Sequence, residues 1–157
     1  MSNNKYGAKK VNNSDSLMEE GFFNEFKTMQ AAKKITGLKQ LDKKDDFYVL
    51  IDQIILSKNE HNGRKVSRVK YTPDFEFTML EDAKLGTEIK KNKLVGIYLR
   101  EGEKVIVETK GSGPKQARDY PVKRALFISK ILKPGQCFVE ITVKGQVRDI
   151  IIYRKRK

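Results

Sequence analysis

The sequence predicts a single α+β domain of the broad α/β kind, with a central mixed β-sheet flanked by helices. Three observations predict it. Two segments carry apolar residues at helical spacing, several others are short runs of β-branched and aromatic residues, and the order along the chain is helix, strands, helix, strands. At 157 residues the chain is long enough to bury one core without disulfides or a structural metal.

Residues 1–14 are polar and rich in lysine and asparagine, a basic N-terminal arm expected to be mobile until it meets a partner. A helix follows. Ser16 and Glu19 form an S-x-x-E capping box, Met18, Phe22, Phe26 and Met29 recur at helical spacing, and Gly37 is the expected stop. "FYVLIDQIIL" (47–56) reads as a strand, and the Asn62-Gly63 turn signal sends the next strand back as a hairpin. In that returning strand Val69, Tyr71, Phe75 and Phe77 share one face, and Arg68, Lys70, Thr72, Asp74 and Glu76 the other. Pro73 cannot donate a ladder hydrogen bond, so it marks an edge or an irregularity beside Asp74.

Residues 79–92 are charged and without clear period; "KLVGIYLR" (93–100) and "KVIVETK" (104–110) read as a second hairpin. A basic, glycine-containing loop, "KGSGPKQARDY", leads to a helix over 121–132. Its inward residues are expected to be Val122, Ala125, Leu126, Ser129 and Leu132, with Lys123, Arg124 and Lys130 outward. "QCFVEITV" and "VRDIIIYR" finish as strands around a "KGQ" turn, and "RKRK" (154–157) closes the chain as a basic tail. The domain proper is expected over 15–153, with 79–104 as an inserted hairpin.

Composition narrows the function. Lys and Arg number 33 against 20 acids, a formal charge of +13, and charged residues make up 34% of the chain. Such an excess repels itself and suits a polyanionic partner, with nucleic acid first, an anionic membrane surface second, and a solvated basic face as the plain alternative. No apolar run approaches a membrane span, and "MSNNKYGAKK" lacks the apolar core of a signal peptide. The lone Cys137 reads as a buried, inert thiol in a reducing, cytoplasmic compartment. His61 stands alone in a polar turn, and the absence of a Cys/His cluster argues against zinc.

Chemistry concentrates at two stretches, "YTPDFEF" and "VIVETKG". Glu108 and Lys110 lie two apart and project from one strand face, opposite Val105, Val107 and Thr109. If the strand of Asp74 is a near neighbour, two carboxylates and a backbone carbonyl supply hard oxygen ligands suited to Mg²⁺, which binds phosphates readily. A nearby lysine then orients water or balances developing charge. Ordinary cross-strand charge pairing is the competing reading of the same residues.

"YTPDF" followed by "VIVETKG" resembles the signature of the PD-(D/E)XK nucleases, and in particular is similar to small phage endonucleases that resolve Holliday junctions. "DSLMEEGFF" (15–23) resembles the helix that opens such proteins, and "DYPVKRALF" (119–127) their basic helix after the "KG" motif; the likeness runs from Lys5 to about Phe127. It implies a restriction-endonuclease-like fold in which Asp74 and Glu108 bind metal, Thr109 adds its backbone carbonyl, and Lys110 is the catalytic lysine. Glu19 would be a further acid, with Glu20 as its competitor by a one-residue shift. It also implies Mg²⁺, with Mn²⁺ as substitute, branched DNA as substrate, a homodimer, and the cytoplasm of an infected bacterial host. Lys115, Arg118, Lys123 and Arg124 would follow the DNA backbone. "GSG" (111–113) could cradle a phosphate or simply turn, and Tyr6 and Tyr120 could stack on bases or pack.

One departure from the pattern stands out. Asp74 and Glu108 are 34 residues apart, where such resolvases join the strands by a short turn. A hairpin inserted between those two strands in the sheet would dismantle the metal site.

Overall fold

The computed structural model describes residues 17–55, 65–111 and 118–155. The basic arm, Tyr6, Ser16 of the capping box, His61, the Asn62-Gly63 turn, most of "GSG" and Lys115 lie outside them.

Helix α1 (Leu17–Ala31) is followed by β1 (Ile35–Gln40), β2 (Tyr48–Ile51), β3 (Ile54–Ile55), β4 (Lys65–Val66), β5 (Val69–Tyr71), β6 (Phe75–Met79), β7 (Ala83–Lys90), β8 (Lys93–Leu99) and β9 (Lys104–Gly111). Helix α2 (Tyr120–Lys130), β10 (Gln136–Lys144) and β11 (Val147–Arg154) complete the order. The central sheet has five strands in the order β1-β6-β9-β10-β11. All neighbours are antiparallel except β9 and β10, which run parallel with α2 as their crossover. The fold is therefore α+β with a mixed sheet and a helix on each face, as the order of elements predicts.

Parity along β9 and β10 separates two cores. Odd positions Val105 and Val107 join Cys137, Val139 and Ile141 beneath α1, where Phe22 and Phe26 meet Phe75 and Phe77. Phe26 stands 5.4 Å from Phe75 edge-on and 5.0 Å from Phe77, so the expected apolar stripe of α1 is the one that packs. Even positions Ile106 and Phe138 pack instead with Leu50, Tyr71 and the α2 residues Tyr120 and Phe127. Cys137 is fully buried, and burial pushes its thiol up to about 12, so it stays a neutral, inert packing residue.

Several local expectations are corrected. Helix α1 ends before Lys33, which takes positive φ (59°), while Gly37 (φ 66°) lies inside the unforeseen strand β1 where its register slips. The 47–56 strand breaks at Asp52-Gln53 into β2, paired with β5, and β3, paired with β4. The returning strand is also two strands. Thr72-Pro73-Asp74 is a bend, so Tyr71 and Phe75 enter opposite cores rather than one face. Pro73 is the physical reason: without an N–H it cannot continue a ladder.

The 93–99 strand pairs with 83–90, not with 104–110. Lys91 (φ 50°) and Asn92 (φ 64°) form the two-residue turn, a conformation that asparagine tolerates and lysine does not advertise. The β7–β8 ribbon leaves the sheet as a separate pair, so β6 and β9 remain direct neighbours. Its base is fixed by buried Glu103, whose carboxylate takes Arg154 Nε at 2.7 Å and the Arg100 amide at 2.6 Å. Arg154, expected in a basic tail, is thus committed to the fold as the last residue of β11.

Helix α2 is rotated from its expected orientation. Val122 is 62% exposed and Ala125 and Ser129 are exposed, while Tyr120 and Phe127 are buried and Leu132 is buried just beyond the helix. Arg124, expected outward, turns in to meet Glu140, while Lys130 stays exposed as expected and its Nζ donates to the Leu50 carbonyl at 3.2 Å. Choosing Tyr120 rather than Val122 as the start of the stripe would have put Phe127 inward by helical period.

Candidate active site at the β6–β9 junction

The bend at Pro73 delivers Asp74 to the end of β6 directly beside β9. Its amide donates to the Val107 carbonyl at 2.9 Å, continuing the ladder one step past Phe75. Its side chain then folds toward β9, where Oδ2 accepts the Thr109 amide at 2.8 Å and Thr109 Oγ1 at 2.8 Å. In a strand the N–H and C=O of one residue point to the same edge. The Thr109 carbonyl is therefore aimed at the edge occupied by Asp74, beyond the point where β6 has bent away.

Glu108 projects from the opposite parity to Thr109, on the α2 side of the sheet. Burial, then the Asp74 charge, pushes its carboxyl up to about 9. Asp74 is likewise raised, by burial first, with Thr109, Glu19 and Glu108 hydrogen bonds holding it down. Glu108 Oε2 and the neighbouring Tyr71 hydroxyl are both buried, and among the described residues neither has a partner within good hydrogen-bond geometry, although the two groups act on each other's charge. Two carboxylates packed together with an unsatisfied oxygen form a site short of positive charge.

Glu19 reaches this centre from α1. Its side chain bonds to Asp74, and it lines with Asp74, Thr72 and Pro73 a cleft of about 400 Å³. Glu20 does not line that cleft. On the other side of the same bend a second cleft, of about 350 Å³, is bordered by Glu108, Tyr71 and Tyr120.

Lys110 shares the face of Glu108, two residues on, and its ammonium lies 2.9 Å from the centroid of the Tyr120 ring. Burial lowers its pKa, while the Glu140 and Glu108 charges oppose the shift.

Glu140 was missed by the sequence reading. Parallel pairing registers it opposite Glu108, and there it is 6% exposed. Its Oε2 accepts the Tyr120 hydroxyl at 2.6 Å and Arg124 Nη1 at 2.8 Å. Burial pushes its carboxyl up, but the Tyr120 and Arg124 bonds outweigh this and hold it below the usual range. The signal was there: a lone acid inside "CFVEITV", a run otherwise suited to complete burial, needs a partner.

Of the residues expected to follow a nucleic-acid backbone, Lys123 lines the smaller cleft and pairs with Asp119 at 3.2 Å. Arg118 is exposed just before α2. Arg124 is partly buried, with its guanidinium on Glu140 at 2.8 Å. Tyr120 is a packing residue with an engaged hydroxyl.

Among the described residues, no three His, Cys, Asp or Glu side chains are arranged as a metal-holding group. The set that the resemblance implies for a divalent ion is Asp74, Glu108 and the Thr109 carbonyl. It fits a hard cation in chemistry, and the orphaned Oε2 of Glu108 gives such a cation an unused ligand. No helix among the described residues is long and apolar enough to cross a membrane. No family model, curated protein or solved structure matches the chain.

Proposed function

We propose that this protein is a Mg²⁺-dependent endonuclease of the PD-(D/E)XK kind, with a restriction-endonuclease-like fold, that hydrolyses DNA phosphodiester bonds. The observation that carries the reading is the proximity of Asp74, whose amide bonds to Val107 just before β6, to Glu108 of β9: both are buried, each acts on the other's charge, and Lys110 follows two residues on.

Asp74, Glu108 and the Thr109 carbonyl would hold the ion, with Mn²⁺ as a substitute. Bound there, it supplies positive charge beside the phosphodiester and makes water more acidic. Thr109 fixes the Asp74 carboxylate through two bonds, so its orientation is set before substrate arrives. Lys110 orients the attacking water and balances negative charge growing on the phosphoryl oxygens. Glu19 completes the acid cluster from α1, against Asp74.

The resemblance extends the substrate to branched DNA and the place of action to the cytoplasm of an infected bacterial host. Paired cuts across a four-way junction need two centres, hence a symmetric homodimer. The test is incubation of the protein with labelled four-way junction and matched linear duplex, with Mg²⁺ or EDTA, beside Lys110→Ala. Mg²⁺-dependent, paired cutting of the junction, lost in the variant, is the expected result. Equal cutting of both substrates removes the junction claim and keeps the nuclease. Binding without cleavage in Mg²⁺ leaves a nucleic-acid-binding module.

A further inference from the structure

The smaller cleft holds two basic residues, Lys43 and Lys70, that the sequence motifs do not include, beside Lys123, which they do. Lys43, from the β1–β2 connection, and Lys70, from β5, line it together with Lys123 of α2, around Thr72, Glu108 and Tyr120. They come from three separate parts of the chain, and the fold gathers them beside the Glu108 carboxyl. Lys43 also borders the larger cleft that contains Asp74, so it stands where the two clefts meet at the Thr72-Pro73-Asp74 bend.

These lysines are held in different ways. Lys70 Nζ lies 4.5 Å from the centroid of the Phe47 ring, which restrains a long, flexible side chain. Lys123 is held by Asp119 at 3.2 Å, and Asp119 makes no side-chain cap bond to α2. The 11-residue helix therefore opens at the cleft without a side-chain cap, and its N-terminal dipole adds to the positive field.

We infer that this cleft is a phosphate-binding subsite, in which Lys43, Lys70 and Lys123 hold the backbone of the cut strand beside Glu108. The inference rests on the nuclease reading for the identity of the strand. A 350 Å³ cleft takes the sugar-phosphate of one strand rather than a duplex, so it guides one strand across Glu108. Arg124, which the motif alone would assign to this task, is held by Glu140 instead.

The experiment measures fluorescence anisotropy of labelled four-way junction and linear duplex binding to the full chain in EDTA, over a series of salt concentrations. Lys43→Gln, Lys70→Gln and Lys123→Gln are compared with Lys91→Gln and Lys93→Gln at the tip of the β7–β8 ribbon. Each cleft variant is expected to shallow the slope of log affinity against log salt by about 0.7–0.9, and the ribbon variants to leave it unchanged. Unchanged slopes in the cleft variants, or equal losses in the ribbon variants, overturn the subsite. Mg²⁺-dependent cutting by the same proteins separates the two ideas. Shallower slopes with no cutting by the unsubstituted protein keep the subsite and remove the nuclease. Cutting with unchanged slopes does the reverse, and no DNA binding at all removes both.

Discussion

One oxygen of Asp74 joins two strands: Oδ2 accepts both the amide and the hydroxyl of Thr109, each at 2.8 Å, across a separation of 35 residues in sequence. The bond pair makes the bend before β6 part of the β9 edge. It also spends the donors of Thr109 on orienting a carboxylate instead of extending the ladder.

Thr109→Val tests this directly. The amide bond survives, the hydroxyl bond is lost, and a nearly isosteric methyl meets a buried carboxylate oxygen. Urea unfolding should show a loss of about 1–2 kcal/mol. Mg²⁺ affinity should weaken too, since Asp74 loses one of the bonds that hold its pKa down. Thr109→Ser should retain both properties.

The buried acid pair makes the metal-free protein sensitive to pH in an unusual direction. Glu108 titrates near 9 in the fold against a reference of 4.5, so between those values the folded state binds more protons than the unfolded one. Stability contributed by neutral Glu108 is present at low pH and lost as pH rises through that window. Asp74, also raised, acts with the same sign. In EDTA, urea midpoints should fall from pH 5 to pH 8 in the native protein and much less in Glu108→Gln. Parallel curves would show that Glu108 ionises normally.

The central strands β9 and β10 were legible because they are apolar enough, and regular enough, to be read from alternation, but the partner of β9 was not, since 93–100 offered itself as a hairpin mate. The five-strand order was not legible, since β1 contains Thr36, Gly37 and Lys39 and carries little strand signal of its own. Pro73 announced an irregularity, but not that the chain would cross from one core to the other there. The position of the 79–104 insertion depends on turn chemistry at Lys91-Asn92, which no Gly marked. At the candidate site, motif and parity pointed to Asp74, Glu108 and Lys110. They did not point to Glu140, Lys43 and Lys70, because strand register and loop return bring them in from afar.

Glu140 supports the face on which Lys110 sits. Glu140→Ala leaves the Tyr120 hydroxyl and the Arg124 guanidinium facing a buried gap, and should cost about 3 kcal/mol in urea unfolding. Glu140→Gln keeps an acceptor for Tyr120 and should cost less. A double-mutant cycle with Arg124→Ala should give a coupling above 1 kcal/mol, because the two side chains meet directly at 2.8 Å. Additive effects would show that the ion pair does not organise this face.

Metal binding and metal-free stability should respond oppositely to loss of Asp74. In EDTA, Asp74→Asn removes a buried carboxyl that raises the Glu108 pKa, and the amide can still accept from Thr109. The variant should therefore melt at or above the native temperature. With Mg²⁺ at about a hundred times its dissociation constant, the native protein should gain about 2.7 kcal/mol and the variant almost nothing, because the ion has lost a charged ligand. The melting curves thus cross as Mg²⁺ is added. An equal Mg²⁺ shift in both proteins would mean that Asp74 does not ligate the ion, and that the orphaned oxygen of Glu108 answers to something else.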